Sequence, residues 1–171
     1  WSTYNTSNSD IPDNFINAIE TAGPGDTWVG TPKGAAKFDG STWKIYDITE
    51  GLPDNDVSEI MTGDFLHTWI GTGSGDLVRL ALPDTNIFDI STSGLPNNYV
   101  NVVVLDAAGM KWIGTNEGAA SFDGLDWTVY DTLNGLPNQY VNAIAFDGSG
   151  NKWFGTRNAL AKFDGANWTV Y

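Results

Sequence analysis

GLPNQYVNAIAFDGSGNKWFGTRNALAKFDGANWTVY, residues 135–171, reads as four short strands separated by turns. Residues 140–147 (YVNAIAFD) alternate with the two-residue period of a half-buried strand. Residues 147–151 (DGSGN) form a turn cluster, and 152–156 (KWFGT) a second strand whose Gly155 permits close backbone approach or a bulge. Residues 160–164 (LAKFD) supply a third strand, closed by Gly165, whose freedom at positive φ suits a turn. Residues 168–171 (WTVY), rich in aromatic and β-branched side chains, supply the fourth. No segment between these turns sustains the 3.6-residue apolar period of a helix.

Working outward, the same unit recurs along the whole chain. All eight tryptophans fall into two slots. Trp28, Trp69, Trp112 and Trp153 are each followed by a hydrophobic residue and Gly-Thr. Trp1, Trp43, Trp127 and Trp168 occupy the other slot, where Thr85 replaces the missing member, with steps of 42, 42, 42 and 41 residues. A third marker, Leu/Ile-Pro, falls at Pro12, Pro53, Pro96 and Pro137 in the same phase. Four short strands repeating at this period predict an all-β chain, a β-propeller of four four-stranded antiparallel blades. A β-sandwich needs no such self-similar period. A lone meander has two apolar faces that it cannot bury, and stacking blades buries them. Trp112, Phe122, Trp127 and Tyr130 are therefore read first as packing residues.

The period sets the expected blades at residues 5–46, 47–88, 89–130 and 131–171, with residues 1–4 an extra outer strand. That makes five fourth-type strands for four blades: 1–4, 43–46, 85–88, 127–130 and 168–171. In a self-closed ring the first and last compete for one place. The surplus points to an arc of a larger ring, completed by further chain or another copy; a closed four-blade ring is the alternative.

Composition narrows the function classes. The 171 residues suit one domain, and 41% hydrophobic with 17% charged residues fits a globular chain. A formal charge of −13, with eight scattered Lys and Arg, argues against nucleic acid, whose binding rests on basic groups neutralising phosphates. An anionic membrane surface is disfavoured for the same reason, and the acidity reads as solubility. The absence of cysteine excludes disulfides and thiolate metal sites. No apolar run approaches the roughly 20 residues that span a bilayer, so no membrane insertion is expected in this segment. No signal peptide is visible, and the start on WSTY reads as a mature or excised segment.

The string GLPN-x-YVN-x-I-x-x-D-x-x-G-x-K-W-x-GT-x-x-G-A-x-x-FDG-x-x-WTVY resembles the two-component regulator propeller repeat. It is seen best in residues 94–130 and 135–171. Copy one diverges at Ser9-Asp10-Ile11-Pro12, and copy two runs Leu80-Ala81-Leu82-Pro83-Asp84 in place of FDG-x-x-W. The resemblance implies a bacterial, extracytoplasmic module, periplasmic or at the cell surface, that recognises a ligand or partner. Such propellers commonly form the sensing part of hybrid histidine kinases, in rings of more than four blades. Related ones sit on cell-surface and secretion-associated proteins. The family carries no fixed catalytic set, and no kinase or receiver segment lies in these residues.

Polar motifs mostly have structural readings. Asp147-x-Ser149-x-Asn151 superficially resembles an oxygen-rich calcium loop but lacks the closing bidentate Glu, so a hairpin turn explains it. The Phe-Asp-Gly of copies one, three and four is likewise a turn. His67, the only histidine, stands beside no nucleophile motif. The Asp residues recur at turn positions, so a two-carboxylate glycan-processing enzyme is the weakest reading. No enzyme activity, metal or cofactor is expected. Asn17, Ser58, Asn101 and Asn142 share one slot: either a ring of ligand-binding amides, or amides capping backbone of an adjacent blade. Asn5 and Asn167 begin N-x-Ser/Thr sequons.

Variation concentrates in loops that strand alternation places on one rim. The loops between second and third strands carry Lys33, Ser74, Asn116, Glu117, Arg157 and Asn158, differing in every copy while the flanking Gly-Thr stays fixed. The loops ahead of the first strands carry Tyr99, Asn138 and Tyr140. Tyrosine rings with convergent amides suit a small molecule or glycan. A protein partner needs a larger apolar centre. The expected function is non-enzymatic recognition, as the sensing part of a two-component regulator-like protein. The alternative is a surface or secretion-associated protein-interaction propeller.

Overall fold

The computed structural model describes residues 1–64, 67–73, 75–81 and 85–171; Ser74 of the variable loops and Leu82-Pro83-Asp84 of the divergent copy lie outside these. The chain is all-β, with four antiparallel four-stranded sheets, one per repeat, each a meander in sequence order. The first comprises β1 (Ala18–Thr21), β2 (Thr27–Thr31), β3 (Gly34–Phe38) and β4 (Trp43–Tyr46). The second comprises β5 (Val57–Asp64), β6 (His67–Thr72), β7 (Leu77–Leu80) and β8 (Asn86–Phe88). The third comprises β9 (Val100–Leu105), β10 (Lys111–Thr115), β11 (Gly118–Phe122) and β12 (Trp127–Tyr130). The fourth comprises β13 (Val141–Phe146), β14 (Lys152–Thr156), β15 (Leu160–Phe163) and β16 (Trp168–Val170). Among the described residues the only helical element is a short 3-10 turn at Ile48–Glu50. The blades fall into two compact units, Trp1–Ile87 and Phe88–Tyr171.

The first strands are not simply alternating. In β9, Val100 pairs Thr115 and Val102 pairs Gly114, skipping Asn101. In β13, Val141 pairs Thr156 and Ala143 pairs Gly155, skipping Asn142. In β5, Ser58 is skipped in the same way. The repeated polar slot is thus the extra residue of a β-bulge, which shifts the pleat by one. Val57 and Ile60, or Val141 and Ile144, three apart, consequently share one buried face.

Within each unit the bulged strand of one blade packs on the second strand of the blade before it. A Cβ on Gly30 would lie 2.7 Å from Val57 Cγ1, and one on Gly114 would lie 2.8 Å from Val141 Cγ1. The glycine of Trp-x-Gly-Thr is therefore a socket for the next blade's valine. Trp28, Tyr46, Val57, Ile60 and Ile70 share one core, and Trp112, Leu136, Val141, Ile144 and Phe154 the other. Ile11, Leu52, Leu95 and Leu136 of the Leu/Ile-Pro marker are all buried, which explains that marker as packing.

Aromatic trios join the outer edges. Tyr130 lies 5.4 Å from Phe163 and 6.2 Å from Trp168, whose rings are 4.8 Å apart. Phe88 meets Phe122 and Trp127 in the same way. Residues 1–4 form no strand, contrary to expectation, because no described strand pairs with their backbone groups. Tyr4 nevertheless rests on Phe38 (5.2 Å) and Trp43 (5.6 Å), the place that Tyr130 takes in the fourth blade.

Candidate recognition rim

The hairpins beneath the rim explain the repeated aspartates. Asp147 accepts from the backbone N–H of Ser149 and Asn151, from Asn151 Nδ2 and, at 2.9 Å, from Trp153 Nε1. These donors, Asn151 first, hold its carboxyl far below the usual carboxylate range. Asp106 repeats the pattern with Ala108, Met110 and Trp112. Asp39, Asp123 and Asp164 of Phe-Asp-Gly accept from backbone N–H groups two and three residues on. All five are turn acceptors, and no cluster of metal-ligating side chains occurs among the described residues.

In the unit Phe88–Tyr171 the rim is continuous. Asn116 N–H donates to the Tyr99 carbonyl at 3.3 Å, and Arg157 N–H to the Tyr140 carbonyl at 3.0 Å. Each joins a turn between second and third strands to the loop ahead of the first strand of its own blade. Asn101 Nδ2 then donates to Asn116 Oδ1 and to the Val141 carbonyl, both at 3.0 Å. That amide bridges the third blade to the start of β13, beside Tyr140. The Arg157 guanidinium lies 5.9 Å from the Tyr140 ring centre. Tyr99, Glu117, Arg157 and Asn158 are exposed, while Asn116, Asn138 and Tyr140 are half-buried. Asn138 Oδ1 is occupied by the Tyr140 N–H at 2.9 Å, so its free chemistry is the NH2 donor.

Lys33 stands apart, in the unit Trp1–Ile87, where its ammonium pairs with Asp13 at 2.8 Å. In that unit Asn17 Nδ2 donates to the Val57 carbonyl at 2.9 Å and to Asp56 Oδ1 at 3.3 Å. Asn17 and Asn101 are thus inter-blade braces rather than ligand amides. Asn142, in the same slot, is exposed. The repeat identified the slot; only the bulge shows where its side chains go.

Apart from Ser74, which lies outside the described residues, seven of the eight predicted rim residues therefore lie along one unit, in two neighbouring groups linked by Asn101. In the unit Trp1–Ile87, Asp56 of the rim loop 54–56 repeats the lock: its carbonyl takes the Gly73 N–H as the Tyr99 and Tyr140 carbonyls take those of Asn116 and Arg157.

Residues 135–158 match the family model of the two component regulator propeller. These residues lie in the fourth blade. The extracellular domain of BT3049 from B. thetaiotaomicron, described as a hybrid two component system, matches this propeller with TM-score 0.82 at 25% identity, covering 96% of this chain and 24% of that one. The corresponding domain of BT4673 from the same organism matches with TM-score 0.76 at 16% identity, covering 94% and 24%. Virginiamycin B lyase from Staphylococcus aureus matches with TM-score 0.75 at 15% identity, covering 98% and 58%. The last two likenesses show the fold alone. The propeller spans about a quarter of the length of the two extracellular domains. No curated protein matches the sequence. Among the described residues no helix is long and apolar enough to cross a membrane.

Proposed function

We propose that this propeller is a non-enzymatic, extracytoplasmic recognition module, the ligand-sensing part of a two-component regulator-like protein. The supporting observation is the rim of the unit Phe88–Tyr171, where variable side chains rise from turns locked by the Asn116–Tyr99 and Arg157–Tyr140 backbone bonds. Rigid scaffolds carrying variable loops are where recognition concentrates. Arg157 over Tyr140 offers a cation beside an aromatic face, and Asn116 and Asn138 offer amides. That set suits a small polar ligand, a glycan above all, with the ring stacking on a sugar face. The repeated aspartates are taken up as turn acceptors, which favours a structural over a catalytic role for them.

The test is a glycan array on the purified chain, followed by titration of any hit with an Arg157→Ala, Tyr140→Ala double variant. Binding is expected to weaken at least tenfold, with the circular dichroism spectrum unchanged. Unaltered binding by the double variant removes this rim from the site. Hydrolysis of a bound glycan, abolished by one Asp or Glu substitution, overturns the non-enzymatic reading.

A further inference from the structure

Copy one departs from the repeat at Ser9-Asp10-Ile11-Pro12, and the departure falls beside a tryptophan. Pro12, Pro96 and Pro137 share one place in the repeat, so Asp10 stands where copies three and four carry Gly94 and Gly135. A Cβ on Gly94 would lie 2.3 Å from Trp127 Cβ, and one on Gly135 would lie 2.3 Å from Trp168 Cδ1. In those copies the loop ahead of the first strand rests directly on the tryptophan, with no room for a side chain. Copy one keeps the tryptophan, Trp43, but an aspartate needs the room that glycine does without. There Asp10 and Trp43 both line a cleft of about 800 Å³, a size that suits a small molecule. All its lining residues belong to the unit Trp1–Ile87.

The chemistry of the lining is one-sided. Ser41 Oγ donates to Asp39 Oδ1 at 2.9 Å, and Thr42 Oγ1 to Asp39 Oδ2 at 2.8 Å. On the other loop, Ser7 Oγ donates to Asn5 Oδ1, and Ser9 Oγ to the Asn5 carbonyl at 2.8 Å. These acceptors are oxygens without a hydrogen of their own, so all four hydroxyl protons are committed to the protein and the hydroxyl oxygens keep only lone pairs to offer. Asp10 adds a carboxylate that makes no hydrogen bond or ion pair among the described residues, and no Lys or Arg lines the cleft. The aromatic part of the lining is Tyr4, Phe38 and Trp43, with Tyr4 47% exposed. Tyr4 lies 5.2 Å from Phe38 and 5.6 Å from Trp43, as Phe88 lies 5.5 Å from Phe122 and 5.7 Å from Trp127. The aromatic wall thus repeats a contact that the chain makes elsewhere.

We propose that this cleft binds a small primary organic amine as its ammonium ion, at a site that shares no residue with the recognition rim. The ammonium brings three N–H donors and a positive charge to a lining of oxygen acceptors that includes the Asp10 carboxylate. Its carbon skeleton lies against Tyr4 and Trp43, whose rings add attraction for a cation. A neutral alcohol of the same shape brings one donor and no charge, and a quaternary ammonium brings charge without a donor. An anion meets the Asp10 carboxylate with no basic side chain to receive it.

Isothermal titration calorimetry of the 171-residue chain with benzylamine, benzyl alcohol and benzyltrimethylammonium tests this. Benzylamine is expected to bind about tenfold more tightly than either analogue, the difference that one charge-assisted hydrogen bond makes. Asp10→Asn keeps the shape and removes the charge, and Tyr4→Ala removes a ring. Each is expected to weaken benzylamine binding about tenfold, with the circular dichroism spectrum unchanged. Asp126→Asn removes a charge from an exposed turn of the other unit and is expected to bind like the wild type, which sets a defined site apart from general attraction to a chain of charge −13. The Arg157→Ala, Tyr140→Ala double variant is also expected to bind benzylamine like the wild type, so failure of the rim and failure of this cleft are read separately. A wild-type chain that gives no heat with benzylamine overturns the proposal. So does an alcohol or quaternary ammonium that binds as tightly, or an Asp10→Asn or Tyr4→Ala chain that binds like the wild type. Binding lost equally in Asp126→Asn, or lost in the rim double variant, overturns it as well.

Discussion

Replacing Asn101 with alanine removes one side-chain amide that serves two acceptors, Asn116 Oδ1 and the Val141 carbonyl, both at 3.0 Å in a half-buried position. A single intramolecular hydrogen bond contributes a net of about 0.5–1.5 kcal/mol, and an acceptor left unmatched adds to the loss. Two such bonds put the expected destabilisation of Asn101→Ala at about 2 kcal/mol. For a chain of this size that corresponds to a melting temperature lower by roughly 4–8 °C. Asn142 occupies the same bulge slot of its repeat but is exposed, so Asn142→Ala should stay within about 0.5 kcal/mol of wild type. Urea denaturation measures both. Asn101→Asp adds a second check, since it keeps the shape but points a carboxylate at two oxygen acceptors. It should cost at least as much as alanine at neutral pH and recover as the pH falls towards the carboxylate range. Equal effects of Asn101→Ala and Asn142→Ala would refute the brace, because the repeat sequence treats the two residues alike and only the neighbouring blade distinguishes them.

Other expectations are as direct. Gly114→Ala places a Cβ 2.7 Å from Val102 Cγ1 and 2.8 Å from Val141 Cγ1, so overpacking should cost about 1–3 kcal/mol by denaturant titration. Glu59 is pushed up to about 7, mainly by burial, so its neutral form suits the fold, and stability should decline as pH rises from about 4.5 through about 7. Glu59→Gln should flatten that decline; allowing for the residue's partial exposure, the gain at pH 8 is about 1–2 kcal/mol, and an unchanged pH profile refutes it. Asp147 is held low by its hairpin donors, so its contribution is present above the ordinary aspartate range and lost as pH falls through the folded value. Asp147→Asn should therefore lower the melting temperature at neutral pH and lose that difference in acid. Lys33→Ala breaks an exposed ion pair with Asp13 and should change stability by no more than about 1 kcal/mol, less in high salt.

The repeat by itself determined the all-β class, the number of blades and the role of the recurring aspartates. Each is a local matter: a turn such as 147–151 needs its acceptor, and strands such as 168–171 need aromatic and β-branched residues, wherever the copy stands. Periodicity also located the variable rim, since Gly-Thr stays fixed while Asn116 and Arg157 change beside it. Tertiary structure decided what identical positions do. Residues 140–147 look like plain alternation, yet a bulge at Asn142 shifts the pleat and puts Val141 and Ile144 on one face. Ile16 and Val141 share a slot, and Asn101 and Asn142 share another, yet one of each pair is covered and the other is not. Residues 1–4 carry a strand's composition but form none, because composition supplies side chains and a strand also requires a neighbour for its backbone. Burial and hydrogen bonding across blades depend on which blade lies alongside, and a self-similar sequence carries that information in none of its copies.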